Sequence, residues 1–392
     1  MSTHKSGTPH KPDTVITHAG RHPQDNNGFV NPPVIHASTV LHPSIADMHG
    51  HKSRYAYGRM GTPTSEALEE AITALEGAAG TVLAPSGLAA IGVALQSCLS
   101  AGDHLLVADS IYGPSRRLCN TVLARFGVET TYYDPTIGAG IADLFRDNTR
   151  AVFTEAPGSL TFEMQDIPAI AEVAHARGAL VLLDNTWATP LYFDAIGHGV
   201  DLSIQAATKY IVGHSDVMIG TVAASEAALP ALKATHLALG LHVGPDDVYL
   251  ALRGLRTMSV RLRQHEVSAL AIAKWLEGRP EVARVLYPPL ESDPGHAIWK
   301  RDFTGACGLM GVVLNPYSQE AVEAMVDGME LFGIGASWGG FESLVIVPQL
   351  EGIRTATEWK AEGPLIRFHV GLEDKDDLMA DLDAGFERLR NT

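Results

Sequence analysis

The residue with the most chemistry to offer in this chain is a lysine at the end of a short, apolar-alternating segment. Ser203-Ile204-Gln205-Ala206-Ala207-Thr208-Lys209-Tyr210 brings Lys209 to the end of an expected strand, and the polar groups His214, Ser215 and Asp216 follow at once. Burial disfavours an ammonium and lowers its pKa from an ordinary value of ~10.4. A neutral lysine amine can attack a carbonyl and form a Schiff base. Taken alone, the stretch also reads as a surface lysine that follows a strand. Asp184 changes the balance, because it closes the apolar run Ala179-Leu180-Val181-Leu182-Leu183 upstream. A pyridine ring that is to accept electrons needs an anion at its nitrogen. Strand-Asp-Asn-Thr-Trp followed by strand-Ala-Thr-Lys supplies that pair in order, and pyridoxal 5'-phosphate is the aldehyde cofactor it would serve.

The elements that must position these residues follow from the pattern. From about Ser65 helical and strand patterns alternate: a helix near Ala67–Leu75, a strand at Thr81–Ala84, a helix opening at Gly87, and a strand at His104–Ala108. Further strands are expected near Val128–Tyr132, Ala151–Glu155, Leu180–Asp184, Leu202–Gln205 and Val217–Thr221. Such alternation indicates an α/β fold with a mostly parallel, doubly covered central sheet. A long helical pattern from Asp247 toward Leu276 carries Arg253, Arg256, Arg261 and Arg263, read as a solvated or subunit-facing surface. A smaller α+β unit follows, with strands near Val282–Leu286, Leu309–Leu314, Ser343–Val347 and Leu365–Val370. The division expected is an N-terminal arm over 1–59, a cofactor domain over 60–254 and a C-terminal domain over 255–392. The first 55 or so residues show no strong helix period and read as an arm laid on another surface, with residues 1–12 as a tail.

Composition bounds the function. The 392 residues suit two domains, and 46% hydrophobic with 19% charged residues describes a globular enzyme. A formal charge of −16 argues against nucleic-acid binding, which needs a cationic face, and gives no reason to expect an anionic membrane surface. The most apolar stretch, about Ala78–Leu99, is interrupted by Pro85, Ser86 and Gln96, so no membrane span is expected. Three scattered cysteines form neither a disulfide frame nor a metal knuckle and fit a reducing cytoplasm.

Three loops and one strand add candidates. Tyr55-Ala56-Tyr57-Gly58-Arg59-Met60-Gly61-Thr62-Pro63 places Tyr57 and Arg59 on a glycine-bounded loop, where an arginine fork can hold a phosphate or simply be solvated. Pro85-Ser86-Gly87-Leu88 opens a helix with free backbone N–H groups, a weak phosphate signal by itself. Tyr112 follows the strand that ends at Ala108, either as a ligand contact or as packing. Arg367 lies inside the apolar strand Leu365-Ile366-Arg367-Phe368-His369. A buried arginine needs an anion, which is either a structural carboxylate or a substrate's α-carboxylate.

The segments Asp184-Asn185-Thr186-Trp187 and Ala207-Thr208-Lys209-Tyr210-Ile211-Val212-Gly213-His214-Ser215-Asp216 resemble those of the Cys/Met-metabolism pyridoxal-phosphate enzymes. This fold-type I family (aspartate aminotransferase-like) includes the cystathionine lyases and synthases. The likeness runs from about Tyr57 to the C-terminus and is greatest for the bacterial β-lyases. It implies that Lys209 binds the cofactor and acts as base, that Asp184 faces its ring nitrogen, and that Tyr112 stacks on the ring and assists proton transfer. It implies phosphate contacts from Gly87, Leu88 and Thr208. It also implies that Tyr57 and Arg59 reach the active site of a neighbouring subunit, where Tyr57 also serves substrate and catalysis. Arg367 becomes the carboxylate clamp, and Ser337 and Trp338 line the substrate side. The implied activity is a carbon–sulfur β-lyase that cleaves cystathionine to homocysteine, pyruvate and ammonia in methionine biosynthesis. The implied assembly is a cytoplasmic homotetramer, a dimer of dimers.

Trp338, Ala336 and Pro114 stand where the γ-enzymes of the family commonly carry other residues and favour the β-route. Ala336 and Ala206 also depart from what close relatives would carry. A γ-synthase, γ-lyase or acylhomoserine sulfhydrylase is the alternative within the family; a catalytically idle scaffold is the alternative outside it.

Overall fold

Runs of four to seven residues, mostly apolar except at 129–133, form the strands of the larger of two sheets. They are β1 (Gly80–Ala84), β2 (His104–Ala108), β3 (Glu129–Tyr133), β4 (Thr149–Glu155), β5 (Leu180–Asp184), β6 (Leu202–Gln205) and β7 (Gly220–Ala224). The computed structural model describes residues 10–50, 53–350 and 352–392. The strand order is β1-β7-β6-β5-β4-β2-β3. Pairings from β6 through β5, β4 and β2 to β3 are parallel, and β7 runs antiparallel to both β1 and β6. Alternate side chains point to opposite faces. Leu83, Leu106, Val152, Val181 and Leu183 therefore join one core, while Val82, Leu105, Val107, Phe153 and Leu182 join the other. A sheet buried on both faces has continuous apolar strands, and its polar residues collect at the strand ends.

The smaller sheet comprises β8 (Val282–Leu286), β9 (Leu309–Leu314), β10 (Gly333–Ile334), β11 (Leu344–Ile346) and β12 (Leu365–His369), in the order β10-β11-β12-β9-β8. The helices Gln319–Asp327 and Lys375–Asn391 pack with it. Among the described residues no helix is long and apolar enough to cross a membrane.

Several sequence expectations shift. The helix expected from Asp247 to Leu276 is two helices, Pro245–Leu255 and Met258–Glu277. Just before the break Gly254 packs so closely that a Cβ would lie 2.2 Å from the Val212 carbonyl oxygen. The Gly254 carbonyl also accepts hydrogen bonds from Thr257 N–H and the Arg261 guanidinium. Arg261 is thus buried rather than solvated, and it also donates to the Tyr210 carbonyl at 2.8 Å. Arg256 is half-buried and donates to the Ile16 carbonyl, while Arg253 and Arg263 are exposed as expected. The strand expected at Val217–Thr221 starts later, at Gly220, because Ile219 exchanges its backbone groups with Thr208 instead of joining the ladder. The N-terminal arm holds short helices at Pro12–His18 and Ile45–His49. The tail reading therefore fails at Pro12, and residues 1–9 lie outside the described residues.

Candidate active site

The parallel strands carry their chemistry at the carboxyl edge, where ligands of open α/β sheets collect. Asp184 closes β5, Glu155 closes β4 directly opposite it, and Lys209 stands four residues past the end of β6. Asp184 is buried, and its Oδ1 accepts hydrogen bonds from the backbone and hydroxyl of Thr186. The Thr186 hydroxyl in turn accepts the Ala206 N–H at 2.8 Å. Burial raises the Asp184 pKa, opposed by those hydrogen bonds and by Lys209. Oδ1 is thereby fixed, which leaves Oδ2 available to a cationic ring nitrogen.

Lys209 is partly buried, and its Nζ lies 2.7 Å from Ser337 Oγ and 5.4 Å from the centre of the Trp338 ring. Desolvation, then the Arg367 charge, lowers its pKa to about 8, against a smaller opposing pull from Asp184. About 9% of the amine is then neutral at pH 7, roughly 200-fold more than for an ordinary lysine. Arg367 is buried in β12 and makes no ion pair among the described residues. Its Nη2 donates to the carbonyls of Ala336 at 3.1 Å and Ser337 at 3.0 Å, while its Nε is buried without a partner. The structural-carboxylate alternative is therefore absent. A buried guanidinium with an unsatisfied edge calls for an anionic ligand.

Tyr112 precedes the helix Gly113–Leu118 and is half exposed; its N–H donates to Glu155 Oε2 at 2.8 Å. Burial and the neighbouring Glu155 and Asp184 carboxyls raise its pKa. Ser86 caps the helix Gly87–Cys98 by accepting the Ala89 N–H. The first-turn amides of Gly87 and Leu88 have no partner within the helix. A Cβ on Gly87 would lie 2.5 Å from Ala206 Cβ, so the two small residues are packed against each other at the helix start. Thr208 does not present a free hydroxyl, since Oγ1 donates to the Ile219 carbonyl and accepts the Ile219 N–H. A phosphate contact from it would compete with the first of these.

The structure thus brings Lys209, Ser337, Trp338 and Arg367 together, with Asp184, Tyr112 and Glu155 on the adjoining strand ends. Tyr57 and Arg59 are not with them. Arg59 lies over the Tyr57 ring at 5.7 Å and donates to the Leu237 carbonyl at 3.3 Å. It lines a separate cavity of about 360 Å³ with Lys233 and His236. Of the polar groups after Lys209, Ser215 donates to Glu342 at 2.6 Å and the His214 ring meets the Val212 carbonyl, so both pin the loop.

Sequence reasoning gave no role to Glu155 or Asp109. The signal was available for Glu155, an acid that closes a buried strand beside the one ended by Asp184. Burial and Asp184 push its pKa well up. Asp109 accepts the backbone N–H groups of Thr355, Ala356 and Thr357, and so ties a loop of the small unit beside Tyr112. No local pattern foretells that contact.

A buried acid with one oxygen held by Thr186, a lysine of lowered pKa, helix-start amides without helical partners and an arginine with an unsatisfied edge together fit pyridoxal phosphate and an amino-acid carboxylate. This arrangement defines the class as a pyridoxal-phosphate enzyme acting on amino acids. The Cys/Met metabolism PLP-dependent enzyme model matches residues 13–387, and the chain belongs to that family. It is 55% identical to a putative cystathionine beta-lyase of Rhizobium johnstonii, with 95% of each chain covered. It is 44% identical to the cystathionine beta-lyase of Escherichia coli, over 97% of this chain and 99% of that one. A crystal structure of cystathionine gamma synthase from Xanthomonas oryzae superposes with a TM-score of 0.91 at 35% identity, covering 98% of this chain and all of the other.

Proposed function

We propose that the protein is a carbon–sulfur β-lyase that converts cystathionine and water to homocysteine, pyruvate and ammonia. The observation that carries this reading is the Lys209 amine, held between Ser337 and Trp338 and lowered in pKa beside Arg367. When bound, pyridoxal phosphate supplies an electron sink for negative charge at the substrate's Cα. Asp184 Oδ2 would face its ring nitrogen, and the amides of Gly87 and Leu88 its phosphate. Arg367 holds the α-carboxylate through the guanidinium edge that carries its unpartnered Nε. Lys209 Nζ, as a neutral amine, takes the Cα proton. Ser337 Oγ and the Trp338 ring fix the direction of that amine, and Tyr112 would contact the cofactor ring.

The β-route is supported by Trp338 beside Lys209, by Ala336 and Pro114, and by relatives that carry the β-lyase name. A γ-synthase is the second reading, supported by the structural likeness. Our reading also keeps the arm, cofactor domain and C-terminal domain, with the break after Leu255 supporting the boundary between the last two. It places the enzyme in the cytoplasm in methionine biosynthesis, as a homotetramer built from dimers. That assembly would bring Tyr57 and Arg59 to a neighbour's site; the exposed Phe29, Leu41, Ile45 and Met48 of the arm support such burial.

The test is a panel of cystathionine, cystine and O-acetylhomoserine with purified holoenzyme. Pyruvate and free thiol from cystathionine are expected. 2-Oxobutyrate in place of pyruvate, or turnover of O-acetylhomoserine alone, would move the assignment to the γ-enzymes.

A further inference from the structure

Arg367 and His369 lie two residues apart in β12, so their side chains leave the same face of the strand. Both reach the loop that carries Ser337 and Trp338. Arg367 donates to the carbonyls of Ala336 and Ser337, and His369 meets the chain just beyond them. The Gly339 N–H points at His369 Nε2, 3.1 Å away, and the Gly340 carbonyl oxygen lies 3.2 Å from the same nitrogen. One ring nitrogen cannot accept from an amide and donate to a carbonyl together. The amide hydrogen is aimed at it, so Nε2 carries the lone pair and Nδ1 the proton.

The adjacent ring fits this assignment. His265 Nδ1 lies 2.8 Å from the Val370 carbonyl, which can only accept, so His265 Nε2 carries a lone pair. The two rings are 5.3 Å apart, and His369 Nδ1 and His265 Nε2 are both buried without partners. Tyr210 packs against both rings, and Arg367 and Lys209 are the cations that face His369. Burial lowers the pKa of His265 to about 4 and that of His369 well below the imidazole range, so both are neutral at working pH.

Gly339 has φ +85° and sits against the backbone of Lys209, where an added Cβ would lie 2.9 Å from Lys209 Cα. The residues just before it are the two that touch Lys209 Nζ. We propose that His369 is a positioning residue: by accepting the Gly339 amide it seats the 337–340 loop on Lys209, and so sets how solvated and how basic that amine is. The inference rests on Lys209 as the working amine and assigns a role to a residue that touches neither substrate nor cofactor.

The test compares His369→Leu, which removes the acceptor, with His369→Gln, whose amide oxygen can take the Gly339 N–H. In the full chain freed of cofactor, pH-dependent acetylation of Lys209 is followed by peptide mass spectrometry, with thermal midpoints recorded alongside. The wild-type protein should reach half-modification near pH 8. H369L should shift that midpoint up by about one unit, a roughly tenfold loss of neutral amine at pH 7, while H369Q stays with the wild type. If H369L does not fold, His369→Asn replaces it, because its amide stops short of Gly339. Coincident titrations of H369L (or H369N) and wild type would overturn the proposal, as would an H369Q shift as large as that of H369L, whatever the loss of stability. A wild-type midpoint at the ordinary lysine value would instead count against Lys209 itself, and the two failures are told apart by whether the variants still differ.

Discussion

Replacing Arg367 with lysine keeps a positive charge in β12 but removes the fork. In the structure one nitrogen of that fork holds the carbonyls of Ala336 and Ser337, and the buried Nε is left for a ligand. A lysine ammonium offers donors from a single point and cannot serve the loop and both carboxylate oxygens. Losing one charge-assisted hydrogen bond to the substrate carboxylate costs about 1.5–3 kcal/mol, or roughly 10- to 150-fold in affinity. Steady-state kinetics of pyruvate release should show that loss mainly as a raised KM. Part of kcat falls as well, because the Ser337 carbonyl loses its donor and the loop on Lys209 loosens. Arg367→Ala should do more, since the carboxylate would then lose both the fork and its charge. Unchanged KM in the lysine variant, with a normal thermal midpoint, would refute Arg367 as the carboxylate clamp.

The remaining predictions concern the acid, the buried charge and the assembly. Asp184→Ala should bind cofactor weakly and lose at least ~100-fold in turnover, checked by spectroscopic titration with pyridoxal phosphate and by kcat. Glu76 is buried, its Oε1 accepts the Ser203 hydroxyl, and burial raises its pKa to about 8. The folded chain must hold that proton while the unfolded chain releases it above pH ~4.3, so stability falls as pH rises from about 4.3 to about 8. Glu76→Gln removes this loss and should raise stability at pH 7 by on the order of 2–4 kcal/mol, with no gain near pH 4, as read by denaturant unfolding at the two pH values. If Tyr57 and Arg59 act in a neighbour's site, inactive Arg59→Ala and Lys209→Ala chains, unfolded and refolded together, should recover about a quarter of wild-type activity through mixed dimers. No recovery in demonstrably mixed dimers would place each site within one chain.

Much of the candidate site is legible because parallel strands are apolar until they end, so Asp184 and Lys209 appear where the runs stop. Arg367 stood out for the opposite reason, as a charge inside an apolar run. The less legible parts depend on partners far away in the chain. Arg261 reads as solvated until the carbonyls of Tyr210 and Gly254 are seen to surround it. At the helix break before it the Gly254 carbonyl turns to Thr257 N–H and the Arg261 guanidinium, which no helix period records. The start of β7 was misplaced because Val217-Met218-Ile219 is as apolar as a strand but is tied to Thr208. His369 looked like one more strand residue, and only the fold brings the Gly339 amide to it.

The central claim is that one lysine, residue 209, holds the cofactor covalently. Borohydride reduction of the holoenzyme, followed by peptide mapping with mass spectrometry, should find the reduced pyridoxyl group on the peptide that contains Lys209 and on no other. Its recovery on a different lysine, or a protein that binds the cofactor yet leaves nothing attached after reduction, would contradict the account.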